Sequence, residues 1–181
     1  MKISFHLPRW LIASSAVALS VFTGSTALAQ SQTNKLRVGV YDSRAIAIAY
    51  ANSALFKESL KPMQAEYEQA KQEKNDRRMK AIDGKMKLRQ RRAHEQGFST
   101  GSVAGIMAKI KDALPAVAKR AGVQIIVSKW ELNHQTADVE TVDVTDELAA
   151  LFNPSDKVLG WIKSSRDQKP VPIEEITDEM D

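Results

Sequence analysis

The sequence predicts an α+β fold in which a small β body, assembled by oligomerisation, carries a protruding α-helical coiled-coil arm. Short segments near both ends of the mature chain alternate apolar and polar residues, as half-buried strands do. Between them, apolar residues recur at spacings of three and four, the heptad pattern of helices that pack along a seam. The chain has no cysteine. A small core without disulfides usually depends on oligomerisation.

The first 29 residues have the order of a secretory signal peptide. Lys2 and Arg9 precede an apolar run at residues 10–22, and the segment closes on the A-x-A sequence of residues 27–29. The run of 13 residues is short for a membrane anchor, which needs roughly 20. The sequence therefore predicts export, with cleavage after Ala29, and an uncleaved anchor is the alternative.

The predicted β body combines residues 30–53 with residues 122–166. Its first strand is expected at residues 35–41, and Asp42 or Ser43 can cap the helix that follows. Residues 45–51 are apolar nearly all round, which predicts that this helix is buried, and the β-branched run 123–127 predicts the second strand. Residues 130–132 are expected to start a further strand that turns through residues 133–138 into the alternating residues 139–144, which predicts a hairpin. The strands are too few to bury their apolar faces within one chain, which is the physical argument for assembly.

The predicted arm spans residues 54–121. Pro62 predicts a break near residues 59–61, because proline kinks the interior of a helix. The arm is expected to reverse at residues 97–101, whose Gly-Phe-Ser-Thr-Gly sequence does not continue a helix. The rival turn is at residues 83–84, where a single glycine lies among strong helix formers.

The second leg of the arm is predicted as a helix over residues 102–121, bent at Pro115 and ended by Gly122. At the other end of the chain, residues 167–181 combine prolines with acidic side chains and few large apolar ones. This composition predicts a disordered acidic tail.

Charge is divided unevenly along the chain. Removal of Lys2 and Arg9 leaves 24 of the 26 basic residues against 22 acidic ones, but residues 131–181 hold 13 acids against four bases. The predicted arm holds more basic than acidic residues, which indicates an anionic partner. The alternative is that these residues only form a solvated helix face. The basic cluster, predicted to bind anionic lipid or an acidic client, comprises Lys74, Arg77, Arg78, Lys80, Lys85, Lys87, Arg89, Arg91 and Arg92.

The sequence shows no complete set of catalytic or metal-ligating residues. After the signal peptide the only histidines are His94 and His134, and neither has a second ligand at a metal spacing. H-E-x-x-H does not occur, and the G-x-S-x-G letters of residues 97–101 lie in the predicted turn of the arm and not between a strand and a helix. The sequence therefore predicts a protein that is not an enzyme and holds no metal or cofactor. No aromatic residue lies in the basic run for stacking on bases, so nucleic acid is not an expected partner.

Taken together, the opening strand KLRVGVYDSRAI, the charged heptad arm and the return segment IMAKIKDALPAVAKRAGVQIIVSKWELNHQTADVETVDVTDELAALF resemble the Skp/OmpH family of periplasmic chaperones. The resemblance covers roughly residues 35–152 and rests on many weak positions rather than one motif. It implies a periplasmic homotrimer that pools its strands into one β body and encloses unfolded outer-membrane proteins between its arms. The apolar residues expected to contact clients are Phe56, Met63, Tyr67, Met79, Met86 and Phe98.

Two functions are consistent with this resemblance. The first is a periplasmic holdase-type chaperone that binds unfolded outer-membrane proteins. The alternative is an envelope structural or tethering protein with the same fold but no general client binding. The arm is short for the family, and the chain continues beyond the resemblance into an acidic extension, which are the features that favour the alternative.

Overall fold

The computed structural model describes residues 35–177, so the predicted signal peptide lies outside the described residues, as do residues 178–181. The coarse fold class is confirmed, because helices and one small sheet occur in a single chain. In chain order the elements are β1 (Leu36–Tyr41), α1 (Ser43–Ala51), α2 (Ala54–Gln72), α3 (Asp76–Phe98), α4 (Ala104–Met107), a 3-10 helix (Ala108–Ala113), α5 (Leu114–Ala121), β2 (Ile125–Ser128), β3 (Val139–Asp143), α6 (Thr145–Ala150), α7 (Asp156–Arg166) and a second 3-10 helix (Ile173–Glu175).

The sheet has three strands in the order β2-β1-β3, and β1 pairs in parallel with both neighbours. Val38 lies opposite Ile125 on one side and Thr141 on the other. The predicted hairpin is therefore wrong, since β3 does not pair with the strand that precedes it. Alternation along a strand determines which side chains share a face, but it does not determine which strand becomes the neighbour.

The two faces of the sheet have different surroundings. Tyr41, Ile126 and Val142 point to one face, where they join the hydrophobic core made by the helices. The other face carries aliphatic side chains that are not part of that core among residues 35–177. Parallel sheets normally bury both faces, so this second surface is unusual. We call it the aliphatic face; it comprises Leu36, Val38, Val40, Ile125, Val127 and Val139.

Helix α1 lies at the centre of the core, as its apolar composition predicted. Ala45, Ile46 and Ala49 have no exposed surface, and α1 contacts α2, α3, α4, α6 and α7. Small alanine side chains allow neighbouring helices to approach closely on several sides. The central helix therefore determines where the other helices meet.

Helices α2 and α3 form a hairpin that reverses at residues 73–75. The predicted turn at 97–101 is therefore wrong, and so is the rival at 83–84, because Gly84 lies inside α3. Lys74 adopts a left-handed conformation with φ of 51°. Asn75 then caps α3, since its side chain accepts a hydrogen bond from the backbone N–H of Arg78.

The break predicted near residues 59–61 does not occur, because Pro62 lies inside the continuous helix α2. A proline there removes one backbone hydrogen bond. The helix packs against α3 at this point, where Arg89 of α3 donates to the backbone oxygen of Ser59 at 3.3 Å. A contact with a neighbouring helix thus overrides the local preference.

The segment after the hairpin does not form a second leg of an arm. It divides into α4, the first 3-10 helix and α5, and it buries Ile106, Ile110 and Val117 in the core. Pro115 lies at the start of α5 and Gly122 ends it with φ of 64°, as predicted for the glycine. The helical hairpin therefore spans residues 54–98 and is shorter than the predicted arm of 54–121.

Part of the segment predicted to be disordered packs on the hairpin. The backbone N–H of Val171 donates to the carbonyl oxygen of Phe98 at 2.9 Å. Ile176 is buried, and the carbonyl oxygen of Thr177 lies 3.3 Å from Nδ1 of His94. The prediction of disorder is therefore wrong for residues 167–177, because Ile176 makes an apolar contact despite the polar composition of this segment.

Two glycine substitutions are expected to change stability in opposite directions. A Cβ at Gly101 would lie 2.7 Å from the carbonyl oxygen of Glu95, whereas a Cβ at Gly84 meets nothing within 4 Å. Gly101→Ala is expected to destabilise the fold by about 1–3 kcal/mol through this backbone clash. Gly84→Ala should stabilise it by about 0.5–1 kcal/mol, because alanine is the better helix former. Urea unfolding followed by circular dichroism measures both, and equal effects would contradict the prediction.

Candidate functional site

The basic cluster divides into an outer stripe and an inner group. All its members lie on α3 except Lys74, which lies in the turn. The side of α3 that carries Ile82, which is 1% exposed, faces the interior. Four basic residues at spacings of three, seven and four share the opposite side, by the periodicity of the helix. We call them the basic stripe: Arg77, Lys80, Lys87 and Arg91, all of which are exposed.

The inner group holds the hairpin together. Arg78 forms ion pairs with Glu73 at 3.1 Å and with Glu66 at 3.8 Å. The side chain of Arg89 hydrogen-bonds to the hydroxyl of Ser59 and lies over the ring of Phe56, 5.1 Å from its centroid. Exposed ion pairs contribute roughly 0–1 kcal/mol each. These two arginines therefore have structural contacts within the hairpin, whereas the stripe faces solvent, as do Lys74, Lys85 and Arg92.

The predicted client contacts differ in accessibility. Phe56 packs edge-on against Tyr50, with ring centroids 5.4 Å apart. Met86 and Phe98 are 43% and 40% exposed. Sequence reasoning missed Leu88, which is 62% exposed and stands directly between two basic residues. A large aliphatic residue within a basic run was the signal that could have found it. The remaining predicted contacts, Met63, Tyr67 and Met79, are half-buried.

A cavity of about 1120 Å³ lies at the base of the hairpin. Helices α1, α2, α3, α4 and α7 line it together with residues 168–171. The sequence could not predict this cavity, because its lining residues come from segments up to 127 positions apart, from Arg44 to Val171. Its walls carry aromatic and aliphatic side chains, including Ile48, Tyr50, Phe56, Phe98, Ile106 and Trp161.

The charges around this cavity are of one sign. Five lysine or arginine residues line it, and no aspartate or glutamate does. Across residues 35–177 acidic side chains are common, so an acid-free lining is a local property of this cavity. The cationic lining residues are Arg44, Arg89, Arg92, Lys109 and Lys169.

A buried ionic group lies where β1 ends. Asp42 is 1% exposed and caps α1 by accepting a hydrogen bond from the backbone N–H of Arg44 at 3.0 Å. Its carboxylate also pairs with the Arg44 guanidinium and with Lys129, each at 2.8 Å, and Trp130 Nε1 lies 3.4 Å away. Burial raises the pKa of this carboxyl, but hydrogen bonds from Arg44 and Lys129 outweigh it and lower the pKa to about 2. These contacts confirm the predicted cap and indicate a structural role.

Neither a metal site nor a membrane-spanning helix is found in the described part of the chain. No group of three or more potential ligands converges among residues 35–177. No helix in that range combines the length and the hydropathy that a membrane crossing requires. His94 lies at the cavity, and His134 is exposed in the connection between β2 and β3.

Comparison of the chain with protein-family models, with curated proteins and with solved structures gave no match in any of the three.

Proposed function

We propose that this protein is an exported, non-enzymatic chaperone of the Skp-like type, which forms a homotrimer in the periplasm and holds unfolded outer-membrane proteins. The observation that supports client binding is the surface of the helical hairpin. There Leu88, Met86 and Phe98 are 62%, 43% and 40% exposed, on the same helix as the basic stripe. Flexible and exposed apolar side chains suit contacts with many different unfolded chains, and the basic stripe suits acidic client segments or anionic envelope lipid.

The aliphatic face supports the trimer. Leu36 and Ile125 are 41% and 48% exposed on this face, and the chain has no disulfide to compensate for an incompletely covered sheet. Burial of apolar surface stabilises by about 25 cal/mol per Å². A second and third copy seated on this face would therefore cover what each chain leaves exposed.

The hairpin itself is the surface to test for client binding. A Leu88→Ser/Met86→Ser variant is expected to bind an unfolded outer-membrane β-barrel protein about thirtyfold more weakly, since each buried aliphatic side chain contributes about 1 kcal/mol. The measurement is the light scattering of such a client diluted from urea, with one trimer per client. Leu159→Ser is the matched control, because Leu159 is 46% exposed on α7, away from the hairpin. Wild-type protein that leaves client aggregation unchanged would rule out the holdase.

The length of the hairpin favours the second candidate, an envelope structural or tethering protein. Helix α2 has 19 residues and is about 28 Å long at 1.5 Å per residue, so three such hairpins enclose little volume. Capture of one folded partner that unfolded competitors fail to displace would support the tethering protein.

A further inference from the structure

We propose that the cavity at the base of the hairpin binds a single-chain anionic amphiphile, that is, one acyl chain ending in a carboxylate or phosphate group. The proposal goes beyond the holdase function and does not depend on it. The cavity lies between helices of one chain and is lined by described residues throughout. Its volume of about 1120 Å³ is slightly larger than that of most small-molecule sites, which are mostly apolar with a few placed charges.

The charges select an anion. Arg44 is already paired with Asp42, and Arg89 is engaged with Ser59. The other cations of the lining have no ion-pair partner among residues 35–177. An anionic headgroup at the opening of the cavity would contact these unpaired cations, and no aspartate or glutamate of the lining would repel it. The unpaired cations are Arg92, Lys109 and Lys169.

The walls select an acyl chain over a peptide. Most of the lining is helical, so its backbone groups are already paired. The N–H of Val171, which lies outside the helices, is donated to Phe98. An extended peptide would find no strand edge to pair with and would leave its own backbone groups unsatisfied. An acyl chain has no such groups, and Tyr50, Phe56 and Trp161 offer it apolar ring surface.

Displacement of a fluorescent fatty acid tests the ligand class. We expect cis-parinaric acid, added to the full-length protein below its micellar concentration, to gain fluorescence on binding. Oleate and lysophosphatidylglycerol should displace it, and lysophosphatidylcholine should do so at least tenfold less well. Equal displacement by the zwitterionic lipid would overturn the anionic assignment. Displacement only by an acidic amphipathic helical peptide would assign the cavity to a protein partner.

Matched charge removals test the position of the headgroup. Arg92→Gln/Lys109→Gln removes two cations from the cavity lining, and we expect about fivefold weaker binding for each charge. Lys111→Gln/Lys119→Gln removes the same charge from two exposed lysines that belong neither to the cavity lining nor to the basic stripe. This control variant should bind as the wild type does. Equal losses in the two variants would mean that net charge, and not the cavity, attracts the ligand.

Two glycines of α3 test the cavity itself without a clash. A Cβ meets nothing within 4 Å at either Gly97 or Gly84, but only Gly97 lines the cavity. Gly97→Phe is expected to abolish parinaric acid binding by occupying its space, whereas Gly84→Phe should leave binding unchanged. Thermal unfolding of both variants verifies that they fold. A folded Gly97→Phe protein that binds parinaric acid as well as the wild type would overturn the proposal. Client holding is measured in a separate experiment, whose result does not depend on ligand binding in the cavity.

Discussion

Replacing Ile125 by aspartate is expected to convert the proposed trimer into monomers, so that the mass measured by light scattering falls to one third. Ile125 is 48% exposed on the aliphatic face and lies beside Val38 of the central strand. A carboxylate there would be buried without a partner once a second copy covered the face. Burying an unpaired charge costs several kcal/mol, and it would do so in each of the three chains. The variant should still fold, because its side chain is half exposed in the single chain.

Leu88→Asp is the matched control for this experiment. It introduces the same charge at a residue that is 62% exposed on the hairpin, which the proposed assembly does not need. This variant should remain trimeric. If the wild-type protein is already monomeric, no second copy covers the aliphatic face, and the proposed Skp-like trimer is ruled out. If Ile125→Asp and Leu88→Asp are both trimeric, another surface holds the subunits together.

Replacing Asp42 by asparagine is expected to reduce the free energy of unfolding by about 3–5 kcal/mol. The change keeps the size of the side chain but removes the charge that both Arg44 and Lys129 face. The Arg44 side chain is 3% exposed, so it would be left as a buried charge without its partner, which is strongly destabilising. Urea unfolding monitored by circular dichroism measures the change.

Asp146→Asn is the control for Asp42. Asp146 pairs with Arg166 at 2.8 Å, but its side chain is 83% exposed, so its loss should cost no more than about 1 kcal/mol. A similar loss in both variants would show that burial does not determine the strength of the Asp42 group. A loss below 1 kcal/mol for Asp42→Asn would show that the buried cluster contributes little to stability.

The same carboxyl predicts how stability depends on pH. Its pKa is about 2 in the folded chain against an ordinary value of 3.8. Because this pKa is lowered, Asp42 of the unfolded chain takes up its proton at a higher pH than Asp42 of the folded chain. The contribution of Asp42 to the free energy of unfolding is therefore fully present above pH 4 and is lost as the pH falls through 2. The difference in unfolding free energy between wild type and Asp42→Asn should therefore narrow from pH 6 to pH 2. A difference that is the same at both pH values would contradict the assignment.

Local chemistry was sufficient to predict several elements. The strand at 36–41, the cap at Asp42, the buried helix after it and the helix end at Gly122 all match the structure. In each case neighbouring residues determine the outcome. A side chain caps the N–H groups next to it, and glycine adopts the left-handed conformation without a steric cost. The turn at 73–75 was also within reach, because Asn75 followed by Asp76 is a helix start.

By itself, the sequence determined the mixed fold class, the strand at 36–41, the helical character of most of residues 54–98 and the excess of basic residues within that segment. Only the tertiary structure decided that β3 pairs with β1, that Pro62 continues inside α2 and that Ile176 is buried. It also decided that five separate helices enclose one acid-free cavity. The physical reason is distance along the chain. Periodicity and capping act between residues a few positions apart, whereas strand pairing, helix packing and cavities depend on contacts between segments that the sequence separates.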